Sequence, residues 1–166
     1  MRIAGLRAGQ ELELARVGTS VHELRLAGAA IAHLENLGVI ARETLAEGDG
    51  RGWTFRMGLR GAITALERET GAEVAWADHR RGSRVRITLA DGRRYEGRSH
   101  GRWRSAWTLA GAEGDLLEAR APAFLRRGPI RVRVRAPAAE PQDAALLALL
   151  LCRVVLWSRT TRRGTA

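Results

Sequence analysis

The sequence contains no lysine, so all 28 of its basic residues are arginine. Alanine and glycine are abundant beside them, which points to a genome-wide compositional bias. An arginine here is therefore not by itself a placed phosphate ligand, although guanidinium remains a good bidentate one. Cysteine is almost missing: the single Cys152 excludes an internal disulfide, in keeping with a reducing compartment. The four prolines are dispersed and 45% of the 166 residues are hydrophobic, which excludes a largely disordered chain. One domain with a sizeable core is the expectation. Met1-Arg2-Ile3-Ala4-Gly5 leads into polar residues without an apolar run, so no secretory signal is recognised. Cytoplasm is the default location.

Charge of one sign is also scarce. Eighteen carboxylates face the 28 arginines, leaving a formal net charge of +10. Such a balance favours an anionic partner, namely nucleic acid, an acidic lipid surface or an acidic protein, without choosing among them.

What is present is period-2 alternation broken by Gly, Asp and Asn. From Ser83, residues Val85, Ile87 and Leu89 point one way while Arg84, Arg86 and Thr88 point the other. Asp91-Gly92 then turns the chain and Arg93 to Glu96 returns, a strong hairpin signal because glycine accepts the positive φ of tight turns. Ile63 to Arg68 and Ala72 to Ala77 flank Glu69-Thr70-Gly71 in the same manner. Trp103 to Leu109 and Leu116 to Arg120 flank a loop from Ala110 to Asp115. Ile130 to Arg135 alternates Ile130, Val132 and Val134 against Arg131, Arg133 and Arg135.

The first half reads less sharply. Glu11 to Arg16, Val21 to Leu26, Ala30 to Asn36, Val39 to Leu45 and Trp53 to Leu59 fit strands. Ala29 to Leu37 also fits a helical turn, since Ala, Leu and Glu favour helix. About twelve strands result, at the spacing of an antiparallel barrel or sandwich.

After the linker Ala136 to Pro141 the pattern changes to a run that is apolar all round. A helix is expected over 143–158, with Asp143 at its start and the arginines of 159–166 forming a basic tail. From Ala144 to Trp157 is 14 residues, or roughly 21 Å of helix against the ~30 Å of a bilayer's hydrocarbon. Arg153 lies within it. The helix therefore belongs inside protein.

Short β-hairpins followed by one all-round apolar C-terminal helix give the chain its likeness to a known architecture. It resembles the tubby-like superfamily, which includes phospholipid scramblases and plant LURP-one-related proteins. The resemblance implies a mainly β fold: an antiparallel barrel of about twelve strands, Glu11 to Arg135, enclosing the hydrophobic helix as a single domain over 1–158. Tubby domains bind phosphoinositides through basic side chains and scramblases act at membranes. No binding motif of theirs is matched here, so no site residue is carried over.

The candidate chemistry is a set of arginine rows. Arg131, Arg133 and Arg135 share one strand face and Arg84 and Arg86 another. Same-face neighbours stand about 6.6–6.8 Å apart, a spacing that straddles phosphates. The competing reading is a solvated outer face on which arginines pair across strands with Glu67, Glu69, Glu73 or Glu96. Four of the five tryptophans read as core, and Trp53, beside the glycine-rich stretch, as the one open to solvent. Gly48, Gly50 and Gly52 do not sit between a strand and a helix, so they form a mobile hairpin loop and not a dinucleotide cradle. His22, His33, His79 and His100 lack metal-ligand spacing, and Asp78 and His79 are adjacent on a strand and point oppositely. Cys152 reads as packing. No catalytic residue, metal or cofactor is expected. The function expected is non-enzymatic binding of anionic phospholipid head groups or a membrane surface, the protein being cytoplasmic and peripheral. The alternatives are a nucleic-acid-binding module on the same basic surface and a small-molecule or enzymatic pocket at a barrel end.

Overall fold

The structure, a computed structural model, describes residues 6–37, 42–80, 83–100, 106–122, 128–136 and 143–160. Six strands form the first half: β1 (Glu11–Arg16), β2 (Val21–Leu26), β3 (Ala29–Leu37), β4 (Glu43–Gly48), β5 (Arg51–Met57) and β6 (Ile63–Glu67). Six more follow: β7 (Glu73–Arg80), β8 (Arg84–Leu89), β9 (Arg94–His100), β10 (Ala106–Gly111), β11 (Gly114–Arg120) and β12 (Ile130–Val134). The helix α1 (Ala144–Thr160) ends the described chain.

Every strand pairs antiparallel with its sequence neighbours, and β1 closes the ring on β12 from Glu11–Arg133 to Leu14–Ile130. Closure leaves no free sheet edge. The alternation decides which side is inside. Leu12 and Leu14, Trp53 and Phe55, Val85 and Ile87, and Ile130, Val132 and Val134 are buried. Between them Glu11, Glu13, Arg84, Arg131 and Arg133 are exposed.

The ring encloses the helix. Twelve strands spaced ~4.8 Å apart and tilted by ~40° make a barrel roughly 24 Å across from backbone to backbone. An α-helix with its side chains is about 10–12 Å thick, which leaves one layer for the inward residues of the wall. Accordingly every position from Ala145 to Val155 is buried, on all faces of α1. The helix is anchored at both ends. Asp143 at its start pairs with Arg93 of the β8–β9 turn at 2.7 Å. Near its finish the Trp157 ring lies against His79, with ring centroids 4.4 Å apart. Trp157 also covers Gly61, where an added Cβ would fall 2.5 Å from the indole.

Several elements differ from the sequence expectation. Ala29–Leu37 is a strand throughout, because β2 and β4 pair with it on both sides and override its helical propensity. In β4 the strand runs on to Gly48, and β5 begins at Arg51. The expected mobile loop is thus a two-residue turn. Asp49 and Gly50 both take positive φ, 56° and 75°, as a twist-matched hairpin turn requires. Gly52 is paired strand, and it lies under the Arg68 side chain, which an added Cβ would approach to 2.9 Å. The loop from Ala110 to Asp115 tightens in the same way to Ala112-Glu113. Leu59 does not continue β5 but opens a 3₁₀ turn, Leu59–Gly61. Part of two expected strands, Val39 to Ala41 and Trp103 to Ser105, lies outside the described residues.

Candidate anion-binding surface

The structure separates the five candidate arginines. Arg84 and Arg86 lie on β8 and Arg131 and Arg133 on β12, with Arg135 just beyond it. Three strands intervene, or roughly 19 Å around the wall at ~4.8 Å per step. They do not form one strip.

Most of them are neutralised where they stand. Arg131 reaches Glu11 at 3.6 Å and Glu13 at 4.0 Å. Arg135 and Arg120 both bind Glu118, the latter at 2.6 Å. These two guanidiniums, Arg135 first, hold the Glu118 carboxyl below the usual carboxylate range. Arg133 sits in register between Glu11 and Glu118, and Arg86 is 3.6 Å from Glu96. On β12 the partners are therefore Glu11, Glu13 and Glu118, not the glutamates expected from sequence; only Glu96 was foreseen.

Arg84 is different. It is directly opposite Arg98 on β9 and Arg80 on β7, so three arginines stand abreast on adjacent strands. Arg84 has no carboxylate within ion-pair distance among the described residues, and Arg98 has Glu96 at 3.4 Å. Like charges directly opposite on a sheet repel, with Cβ atoms only ~4.5–5.5 Å apart. Sequence reading missed Arg80 and Arg98, although counting back from the Asp91-Gly92 turn places Arg98 opposite Arg84.

Most of the remaining candidates go to the core, but Trp76, expected there, sits between the inward-facing Ala75 and Ala77 and is only half-buried on the outer face, because neighbours on a strand point to opposite sides. Trp103 lies outside the described residues. Trp53 is fully buried, which corrects the expectation of exposure: it faces the helix because β5 starts at Arg51 and odd positions point inward. Arg51 stacks over its ring at 5.6 Å. Trp107 is also buried and offers nothing to a base. Cys152 is buried, and desolvation pushes its thiol up to about 12, so it stays an unreactive thiol. Asp78 and His79 do point apart, His79 turning in toward Trp157.

Inside the barrel one polar chain survives. Arg153, 6% exposed, donates from Nε to Thr44 Oγ1 at 3.0 Å, and the Thr44 hydroxyl donates to Asn36 Oδ1 at 2.9 Å. Arg153 Nη2 lies 3.9 Å from Met57 Sδ. Desolvation lowers the Arg153 guanidinium to about 10, and it remains charged at neutral pH.

His22 and His79 are both held below the ordinary imidazole value of 6.5, chiefly by burial. For His22 the cations Arg16 and Arg153 add to the effect; for His79 the Asp78 carboxylate opposes it. The folded state thus binds fewer protons than the unfolded chain once pH drops below 6.5, and stability falls from there. The carboxylates Glu67, Asp91 and Glu118 are lowered instead, so their stabilisation is lost only below 4.5 or 3.8. Urea midpoints measured from pH 8 to 5 should decline for the wild type and stay nearly flat for His22→Leu/His79→Phe. Parallel decline of the two proteins would show that these histidines are not responsible.

A shallow depression of about 270 Å³ lies on the outer wall, lined by Glu11, Glu13, Arg25, Ala27 and Gly28. No helix among the described residues is long and apolar enough to cross a membrane. No protein-family model matches the chain, and no curated protein or solved structure matches it either.

Proposed function

We propose that the chain is a non-enzymatic barrel of the tubby-like, scramblase-related kind, cytoplasmic and peripheral, which binds the head groups of anionic phospholipids. The closed twelve-strand ring around a C-terminal helix supports the kinship. The observation that carries the function is the pair Arg84 and Arg98, directly opposite each other on β8 and β9. Two cations in cross-strand register cost the free protein repulsion, and phosphate groups laid across them relieve it. Arg131 and Arg135 leave the site, since carboxylates pair with them, and Arg133 stands in register between two glutamates, not opposite an arginine.

Co-sedimentation with vesicles tests the proposal. The wild type should bind phosphatidylcholine vesicles doped with phosphatidylserine and ignore pure phosphatidylcholine. An arginine beside an acidic surface contributes ~1 kcal/mol, so Arg84→Gln/Arg98→Gln should bind about 30-fold more weakly. Arg131→Gln/Arg133→Gln should change little. Equal, negligible sedimentation with both vesicle types at low salt would dispose of the proposal. Tight, steeply salt-dependent binding to nucleic acid with none to vesicles would replace it by the nucleic-acid reading.

A further inference from the structure

The barrel is electrically polar along its axis. Every strand begins at one end and finishes at the other, so the charges can be sorted by topology, taking the two terminal residues of each strand, the described turn residues and the helix ends. The end where α1 finishes carries nine arginines and a single carboxylate, Glu43; three of the nine are already paired, Arg56 with Glu43, Arg120 with Glu118 and Arg131 with Glu11 and Glu13. The end where α1 starts carries eight arginines and ten carboxylates. The up-and-down winding collects the arginines, because strands that run toward the helix-exit end finish on Arg16, Arg80 and Arg120, and β8 starts from it with Arg84.

A second observation falls on the same end independently. Among the described residues, the exposed large hydrophobic ones are Val17 at 43%, Leu37 at 38% and Leu59 at 89%. Val17 lies in the β1–β2 turn, Leu37 ends β3 and Leu59 opens the turn between β5 and β6, so all three protrude where the arginines gather. Leu59 is not loosely held. The next residues, Arg60 and Gly61, take left-handed φ of 58° and 79°, and Gly61 is seated under Trp157 at the end of the helix. The core therefore clamps the turn while its leucine points outward.

We propose that the barrel docks end-on, with the helix-exit end facing an anionic phospholipid bilayer and Leu59 entering the head-group boundary. The proposal rests on the phospholipid reading above and adds to it an orientation and an inserting residue. Cations ringing a few apolar tips suit a bilayer surface, where charge meets phosphate and the tips meet acyl chain. A nucleic acid would use the cations and leave Leu59 in water.

A fluorescent label decides the orientation, and buried Cys152 leaves an introduced thiol as the reactive one. Leu59→Cys and, at the opposite end, Glu113→Cys are each labelled with an environment-sensitive dye. On adding vesicles containing phosphatidylserine, the dye at position 59 should shift to the blue and be quenched by a lipid-borne quencher, while that at 113 should not respond. Leu59→Ser should also weaken co-sedimentation of the full chain about tenfold. If the wild type binds these vesicles but the label at 113 responds instead, or both respond equally, the orientation is wrong and the phospholipid reading stands. If the wild type does not bind them, both fall together.

Discussion

Leu149→Asp is expected to leave the chain without a folded state at room temperature. Leu149 sits at the middle of α1 and is completely buried, with buried neighbours on every face of the helix. Truncating such a leucine costs ~2–5 kcal/mol. An unpaired carboxylate in that setting adds several kcal/mol more, whether it stays ionised or takes up a proton. Together these approach or exceed the ~5–15 kcal/mol that holds a typical domain. The barrel offers no relief by local adjustment, since a closed ring has no edge to open toward water. Leu149→Met keeps volume and polarity and should cost less than ~1.5 kcal/mol. Far-ultraviolet circular dichroism and gel filtration would separate the two. A folded, cooperatively melting Leu149→Asp protein would mean that the helix is not the core of the barrel.

The alternation that made the fold readable is local, and so is what it revealed. Val85, Ile87 and Leu89 against Arg84 and Arg86, or Ile130, Val132 and Val134 against the arginines between them, state which face is inside without any partner. The 14-residue span and Arg153 likewise kept the helix out of a bilayer. Three things could not be read in this way. The closure of β1 on β12 joins Leu12 to Val132, and no short-range pattern links residues so far apart. The helical propensity of Ala29–Leu37 gave way to two neighbouring strands, a tertiary effect. The glycine-rich stretch resembled a loop because glycine is poor in strands, yet Gly52 was needed there under Arg68.

For the surface the lesson is similar. Rows along one strand were visible, but rows across strands decide what an arginine does. Arg131 and Arg84 look alike in sequence. Register sets Arg131 between Glu13 on β1 and Arg120 on β11, with Glu11 also within reach, and gives Arg84 an arginine on either side. The polarity of the whole barrel needed the winding order as well, because no single segment carries it.

Arg153→Met should cost the protein no more than ~1 kcal/mol, whereas Arg153→Ala should cost ~2–4 kcal/mol. Burial brings the guanidinium down from its ordinary value to about 10, a penalty on the charged form of about 3 kcal/mol. Against it stand hydrogen bonds from a charged donor, each worth ~1.5–3 kcal/mol, of which that to Thr44 is the clearest. Methionine gives up both at once and keeps most of the stem that fills the space beside Met57. Thr44 retains its bond to Asn36. Alanine gives up the stem as well and leaves a void in a packed interior. The penalty on Arg153 is constant at any pH well below 10, so it does not contribute to the acid sensitivity assigned to His22 and His79. Removing the charge should therefore displace the whole stability profile between pH 5 and 8 with little change of shape. The slope should ease only slightly, because Arg153 is the third of the causes that lower His22. If thermal denaturation shows Arg153→Met losing as much as Arg153→Ala, the charge itself holds the helix in the barrel, and its hydrogen bonds outweigh its desolvation.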